Sequence, residues 1–156
     1  MTQGTSEPIF TGGCACGAVR FEVSQPPLRV GLCHCMTCRR KHGSAFNPFV
    51  VFKAEDVLVA GALRAWRSSE HASRFSCETC ASPICQQEDE GGEIELHLGS
   101  FDDTSLFPPM YENWIVHREA WLPYLDVPQR KTDLGYMTRQ AKKSAGTPLK
   151  SVPTKR

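Results

Sequence analysis

Three cysteines lie within six residues of this chain, at Cys33, Cys35 and Cys38. In an extended segment alternate side chains point the same way, so Cys33 and Cys35 present their sulfur atoms on one side. A tight turn then brings the sulfur of Cys38 towards the other two. Three thiolates can bind one tetrahedral Zn²⁺ and leave a fourth position open, as in catalytic zinc sites. The spacing therefore predicts a zinc site that a substrate could complete.

The other cysteines form two close pairs and one single residue: Cys14 with Cys16, Cys77 with Cys80, and Cys85. The simplest partition joins the two pairs in a closed four-cysteine zinc site, whose binding energy would contribute to folding. The first three cysteines then form the open site, and Cys85 is left over. We therefore expect two Zn²⁺ ions per chain, one structural and one catalytic.

Two other partitions of the cysteines stay open. Cys85 could complete the second site, and both zinc ions would then be structural. Alternatively, the pair Cys35 and Cys38 could join the pair Cys77 and Cys80 as the two knuckles of a zinc ribbon. The gap between these pairs is much longer than the usual spacing of about 15–20 residues.

The eight cysteines would suggest disulfide bonds in a secreted chain. The first ten residues, however, contain neither the basic start nor the apolar run of a signal peptide. No apolar window of about 18 residues exists, so no transmembrane helix and no membrane partner are expected. We therefore expect a cytoplasmic protein in which clustered thiols bind metal.

The segments that position these cysteines resemble short strands. Residues 18–23 alternate in polarity, with Val19, Phe21 and Val23 predicted to face inward, and residues 93–98 alternate in the same way. Residues 114–116 are predicted to form the last strand, and Trp121 to cover the core. Turns recur about every 8–12 residues and no long stretch has a helical period, which predicts a single all-β domain.

Charge is distributed unevenly along the chain. Residues 131–156 have a net charge of +6, so residues 1–130 have a net charge of −5. We expect a flexible N-terminus over residues 1–8, a zinc-binding domain over residues 9–130 and a flexible basic tail over residues 131–156. An alternative function is a zinc-stapled module that contacts nucleic acid through basic residues. The negative charge of the first 130 residues makes a nucleic-acid partner unlikely.

Three cysteine-containing blocks resemble the glutathione-dependent formaldehyde-activating enzyme family, which includes centromere protein V. The blocks are Gly12-Gly13-Cys14-Ala15-Cys16-Gly17-Ala18-Val19-Arg20-Phe21, Cys33-His34-Cys35-x-x-Cys38-Arg39-Arg40-x-x-Gly43-Ser44-Ala45-Phe46 and Phe75-x-Cys77-x-x-Cys80-x-Ser82-Pro83-Ile84. The resemblance covers residues 8–125 and implies a β-tent fold of short antiparallel sheets. It also implies a structural zinc on the two cysteine pairs and a second zinc on the three-cysteine group. One departure is Ala81, where the family usually has glycine; if φ is positive there, alanine costs about 1 kcal/mol.

In the family's namesake activity, the second site acts on the glutathione–formaldehyde adduct in a carbon–sulfur lyase reaction. Three thiolates give a bound Zn²⁺ a formal charge of −1, which suits a soft thiol ligand better than the generation of hydroxide. We therefore predict a zinc-dependent lyase that acts on a thiol–aldehyde adduct such as S-(hydroxymethyl)glutathione, with glutathione as the small thiol partner and Cys33, Cys35 and Cys38 at the catalytic site. The basic run at residues 39–41 could attract the carboxylates of such a substrate.

Overall fold

A computed structural model describes residues 8–132 of the chain. These residues form ten strands, one α-helix and three short 3₁₀ turns. The strands are β1 (Phe10–Gly13), β2 (Arg20–Val23), β3 (Arg29–Cys33), β4 (Asn47–Lys53), β5 (Val57–Ala60), β6 (Leu63–Arg67), β7 (Ala72–Cys77), β8 (Pro83–Glu88), β9 (Glu93–His97) and β10 (Glu112–Asn113). The helix α1 is Met36–His42, and the 3₁₀ turns are Ala54–Asp56, Leu98–Ser100 and Ile115–His117.

The strands form two sheets. One has seven strands in the order β10-β3-β4-β9-β8-β7-β6, and the other has three strands in the order β1-β2-β5. Neighbouring strands are antiparallel except for β10 and β3, which are parallel. The predicted all-β fold of short, mainly antiparallel sheets, the β-tent that the family resemblance implies, is confirmed.

The main hydrophobic core joins side chains from both sheets. Val19, Phe21 and Val23 are buried as predicted, and they belong to the same cluster as Phe52 on β4 and Leu96 on β9. Period-2 alternation identified the inward face of β2 correctly, because Phe21 and Val23 pack on the core while Arg20 and Glu22 are exposed.

The end of the described chain differs from the prediction. Residues 114–116 do not form a strand: β10 ends at Asn113, Trp114 has a left-handed backbone with φ of 59°, and a 3₁₀ turn follows. The left-handed residue turns the chain out of the sheet, which a run of β-prone side chains does not reveal. The prediction that Trp121 covers the core is also wrong, because this side chain is 70% exposed.

The flanking segments lie largely outside the described residues. The division into an N-terminal segment 1–8, a domain 9–130 and a basic tail 131–156 therefore stays a prediction. Across residues 8–132, no helix combines the length and the apolar character needed to cross a membrane.

Candidate metal centres

The two cysteine pairs meet although more than 60 residues separate them. Cys14 and Cys16 lie in the turn between β1 and β2, Cys77 ends β7, and Cys80 lies in the turn before β8. Their four sulfur atoms lie within 4.8 Å of one another, with 3.5 Å between Cys14 and Cys16 and 3.8 Å between Cys16 and Cys77. Four thiolates about 2.3 Å from a tetrahedral Zn²⁺ would be about 3.8 Å apart. The donor set and its spacing therefore fit a zinc ion.

Hydrogen bonds hold the two turns in register with each other. The backbone N–H of Ala15 donates to the Ser82 hydroxyl at 3.1 Å, and the same hydroxyl lies 3.2 Å from the Cys80 sulfur. The backbone N–H of Val19 donates to the Cys14 sulfur at 3.2 Å. Such outer hydrogen bonds orient ligand side chains and favour their ionised form.

Ala81 has the positive φ, 61°, that the family's usual glycine at this position suggested. Its N–H donates to the Cys77 carbonyl at 3.0 Å, which closes the turn between Cys77 and Cys80. We expect Ala81→Gly to stabilise the protein by up to about 1 kcal/mol, because relief of left-handed strain exceeds the added entropy of the unfolded chain. Urea denaturation at a fixed zinc concentration measures this difference.

Ala15→Gly is the matched control for this prediction. Ala15 lies in the partner turn of the same group, and its φ is not among the positive values of the described residues. The same substitution there should destabilise the fold, because only the entropic effect operates. An Ala81→Gly protein that is no more stable than the wild type would contradict the expected strain.

The three-cysteine group lies where β3 passes into α1. Cys33 ends the strand, Cys35 is the N-cap of the helix, and Cys38 lies in its first turn. The three sulfur atoms lie within 4.8 Å of one another, and the backbone N–H of Cys38 donates to the Cys35 sulfur at 3.3 Å. Hydrogen bonds from Cys33 and Cys38 hold the pKa of the Cys35 thiol well below its ordinary value. This donor set also fits a zinc ion, with three ligands from the described chain.

Cys85 lies apart from both groups. It is 2% exposed on β8, its backbone is in register with Phe75 and with Leu96, and it belongs to the hydrophobic core. Burial raises the pKa of its thiol to about 12, so it is neutral. Neither alternative partition of the cysteines fits this arrangement, because Cys85 completes no group and the Cys35–Cys38 pair does not meet the Cys77–Cys80 pair.

His34 lies between Cys33 and Cys35 in the sequence, and its side chain points into the protein. It is fully buried, and its Nε2 lies 2.9 Å from Oε1 of the fully buried Glu112. Arg118 donates to the same oxygen at 3.0 Å, and Gln129 donates to Oε2. Burial opposes ionisation of Glu112, but the hydrogen bonds from Gln129 and His34 hold its pKa below the ordinary value. His34 is not a member of the three-cysteine group, and Glu112 was missed in the sequence because no local motif marks it.

Arg74 on β7 is a second contact of the three-cysteine group that the sequence did not suggest. Its guanidinium is buried, and both Nη atoms lie 3.5 Å from the Cys38 sulfur. A cation in this position stabilises the ionised form of the thiol. It also offsets the formal charge of −1 that three thiolates and one Zn²⁺ would have.

A cavity with a volume of about 790 Å³ opens beside this group. Cys33, Cys35 and Cys38 line it, together with three cationic side chains, Arg29, Arg74 and Arg130. Three glutamates, Glu88, Glu93 and Glu95, and aromatic side chains that include Phe49 and Tyr111 form other parts of its wall. A ligand in this cavity can therefore contact both the cysteine sulfurs and positive charge.

The basic run at residues 39–41 does not line this cavity, so the expectation that it binds substrate carboxylates is wrong. Arg39 pairs with Glu119, and it donates to the carbonyl of His117 at 3.1 Å. Lys41 donates to the Ser76 hydroxyl at 2.6 Å, and Arg40 is exposed to solvent. Helix α1 uses Arg39 and Lys41 to attach itself to neighbouring segments.

A second cavity, of about 550 Å³, is lined by His42 and His97. Their ring centroids are 4.3 Å apart. Burial lowers the pKa of both imidazoles, to about 4 for His42, and the nearby charge of Arg74 acts in the same direction. Both rings are therefore neutral near pH 7, and the His97 side chain is buried.

Known proteins are similar to this chain in sequence and in fold. A family model described as glutathione-dependent formaldehyde-activating enzyme matches residues 9–117. An uncharacterized lyase of Schizosaccharomyces pombe is 27% identical over 77 residues, which are 49% of this chain and 56% of that protein. A Halomonas elongata protein, provisionally named a glutathione-dependent formaldehyde-activating enzyme, is 28% identical over an alignment of 116 positions that covers 65% of this chain and 70% of that protein. A crystal structure of a Rhodobacter sphaeroides protein aligns with a TM-score of 0.51 and 25% identity, covering 62% of this chain and 91% of the other.

The match to the yeast lyase thus spans little more than half of that protein's length. The family match, by contrast, includes all seven cysteines of the two groups described above.

Proposed function

Because the chain belongs to the glutathione-dependent formaldehyde-activating enzyme family, we propose that it is a zinc-dependent carbon–sulfur lyase whose substrate is a thiol–aldehyde adduct such as S-(hydroxymethyl)glutathione. One observation carries this proposal: three cysteine sulfurs form a group without a fourth His, Cys, Asp or Glu ligand in residues 8–132, and they line a cavity of about 790 Å³. A site closed by four protein ligands would leave no position for a substrate thiol.

The reaction is an addition and its reverse. In the condensing direction the thiol sulfur forms a bond to the carbonyl carbon of the aldehyde, and the thiol proton passes to the carbonyl oxygen. In the lyase direction the carbon–sulfur bond breaks, the hydroxyl proton leaves the oxygen, and the free thiol and the aldehyde are released. No oxidant or reductant is needed, and the group that most needs activation is the thiol, because its thiolate is the nucleophile.

Cys33, Cys35 and Cys38 would hold the catalytic Zn²⁺. When bound, the ion supplies positive charge that lowers the pKa of a thiol in its open position. The positive charge of Arg74 favours the ionised form of Cys38, the ligand that it contacts. The sheet surface formed by Phe49 and Val51 excludes water from part of the cavity, which strengthens these charge interactions.

The two cysteine pairs would hold the second Zn²⁺, in a structural role. The four sulfurs come from two turns that belong to different sheets, because β1 and β2 are in the small sheet and β7 and β8 are in the large one. Binding of one ion would therefore fasten the sheets to each other, and its free energy would add to the stability of the fold.

Cys35→Ser tests the catalytic assignment. We expect the purified wild type to contain two Zn²⁺ per chain and the variant to contain one, because serine is a poor ligand for zinc at neutral pH. Thiol-dependent consumption of formaldehyde should fall below about one-hundredth of the wild-type rate, since loss of an outer partner of a metal ligand already costs about 10–100-fold. Metal analysis and the rate of formaldehyde loss measure the two effects.

Cys85→Ser provides the control, because it changes a buried thiol that lies outside both groups. It should keep both zinc ions and the reaction. The proposal fails if Cys35→Ser retains the wild-type rate, or if the wild type binds two zinc ions but no thiol.

A further inference from the structure

Arg130 differs from the other two arginines that line the larger cavity. Arg29 donates from both Nη atoms to the carboxylate of Glu93, and Arg74 contacts Cys38. No ion pair found within residues 8–132 involves Arg130. Its guanidinium therefore has no carboxylate within 4.0 Å among the described residues, although Glu88, Glu93 and Glu95 also line the cavity.

The side chain of Arg130 is nevertheless held in place. Its guanidinium carbon lies 3.9 Å from the ring centroid of Tyr111, which is 5% exposed and packs edge-on against Phe49. An arginine that stacks on a fixed aromatic ring keeps the edges of its guanidinium available for hydrogen bonds. Little conformational freedom remains to be lost when an anion binds.

The backbone of Arg130 is fixed relative to the three-cysteine group. Its N–H donates to the carbonyl of Glu112 at 2.9 Å, and its carbonyl accepts from Ile115 at 3.1 Å. Segment 128–130 therefore runs beside β10, and β10 runs beside β3, where Asn113 is in register with Cys33. Neighbouring strands are about 4.8 Å apart, so the backbone of Arg130 lies roughly 10 Å from that of Cys33.

This separation suits a particular class of thiol. An extended peptide advances about 3.3–3.6 Å per residue, so a cysteine peptide with a carboxylate one or two residues from its sulfur could reach both positions. A planar guanidinium binds a carboxylate through two parallel hydrogen bonds. A small neutral thiol would reach only the cysteine end of the cavity.

We propose that Arg130 binds a carboxylate of the substrate and makes this enzyme select short anionic peptide thiols over neutral thiols. The inference rests on the proposed function, since it concerns the same cavity. Arg130 is then a specificity residue that contacts substrate away from the reacting atoms, and Tyr111 positions it. Its loss should affect binding of the carboxylate and leave the carbon–sulfur chemistry of other thiols unchanged.

Calorimetric titration of the zinc-loaded full chain with three thiols tests this role. The thiols are glutathione, its diethyl ester and 2-mercaptoethanol. We expect the wild type to bind glutathione about 10–100-fold more tightly than the ester, which is the range for a hydrogen bond to a charged group. Arg130→Gln should lose this preference and bind 2-mercaptoethanol within about twofold of the wild type.

Two further variants make the test specific to the charge and shape of Arg130. Arg130→Lys keeps the positive charge but lacks the planar guanidinium with its paired N–H donors. It should therefore retain part of the preference for glutathione over the ester. Arg64→Gln removes an exposed arginine that lines neither cavity, and it should bind like the wild type.

The inference is overturned if wild-type protein binds glutathione and its ester equally, or if Arg130→Gln weakens both to the same extent. It is also overturned if the wild type binds no thiol. A wild type that shows the preference but does not consume formaldehyde would instead refute the lyase proposal and leave the role of Arg130 standing. If Arg130→Gln loses the preference for glutathione over its ester but still consumes formaldehyde with 2-mercaptoethanol at the wild-type rate, the result would support both the lyase proposal and the role of Arg130.

Discussion

Cys77→Ala is expected to leave the protein unfolded at 25 °C. Binding of a structural Zn²⁺ contributes about 10–16 kcal/mol in small zinc-binding domains, whereas the net stability of a typical domain is about 5–15 kcal/mol. The four sulfurs of the group that contains Cys77 come from turns in two separate sheets. Loss of the ion therefore removes the cross-link between those sheets. Far-ultraviolet circular dichroism during urea denaturation, together with zinc content, measures the effect.

The chain contains a closely matched control, Cys85→Ala. Cys77 and Cys85 are both 2% exposed, both lie in the seven-stranded sheet, and both belong to the main core cluster. Of these two residues, only Cys77 belongs to a group of cysteines whose sulfur atoms lie within 4.8 Å of one another. Cys85→Ala should therefore keep its zinc and lose about 1–2 kcal/mol, as is usual for a core substitution. Equal losses in the two variants would mean that Cys77 contributes only its packing.

Chelation separates the contribution of zinc binding from that of side-chain packing without a mutation. Removal of zinc from the wild type should reproduce the unfolding of Cys77→Ala, because the same cross-link between the sheets is lost. The Cys35→Ser protein, which should still contain the structural ion, should stay folded until that ion is removed. A wild type that keeps its circular dichroism spectrum and urea midpoint after complete zinc removal would refute a structural role for the four-cysteine group.

The sequence was sufficient to predict the features that follow from local pattern or from shared chemistry. The inward faces of β2 and β9 follow from alternation, because a side chain's direction in a strand depends only on its position. The positive φ at Ala81 follows from the usual glycine of the family. The meeting of Cys14 with Cys77 crosses 63 residues, yet two isolated thiol pairs in one chain have few other partners that could complete a metal site.

The features that the sequence did not reveal are single charged residues with distant partners. Arg74 lies 36 residues from Cys38 along the chain, and Glu112 lies 78 residues from His34. Nothing in their neighbouring residues distinguishes a buried charge from an ordinary surface charge, because burial results from the packing of the sheets. The prediction that the basic run at residues 39–41 binds substrate carboxylates failed for the same reason. The sequence shows the charges of these residues but not the distant groups that they contact.

Glu112 gives the second large expected effect, because the network around it joins the three-cysteine group to the end of the described chain. His34 connects it to β3, while Arg118 and Gln129 connect it to the segment after β10. Both Glu112 and His34 have no solvent exposure. Removal of one partner from a buried ionic network usually costs about 3–5 kcal/mol, since the remaining charge stays buried without compensation. We expect Glu112→Ala to lose stability in this range.

Glu112→Gln distinguishes the charge from the shape of this side chain. Glutamine fills the same space, and its carbonyl can still accept a hydrogen bond from Arg118, but its amide opposes the donor of Gln129. We expect it to lose about 1–3 kcal/mol, which is the usual cost of leaving a buried polar group unsatisfied. Urea midpoints of the two variants, measured with saturating zinc, give both values.

The effect of Glu112 should extend to the metal site, because His34 lies between Cys33 and Cys35 and the network fixes the direction of its ring. Outer partners of metal ligands affect metal affinity by about 10–100-fold, so Glu112→Gln should release the second zinc to a competing chelator more readily than the wild type does. Glu119→Ala is the control, since it breaks the more exposed ion pair with Arg39, a residue of helix α1. If Glu112→Gln retained its second zinc as firmly as Glu119→Ala, the buried network would stabilise the fold without positioning the cysteines.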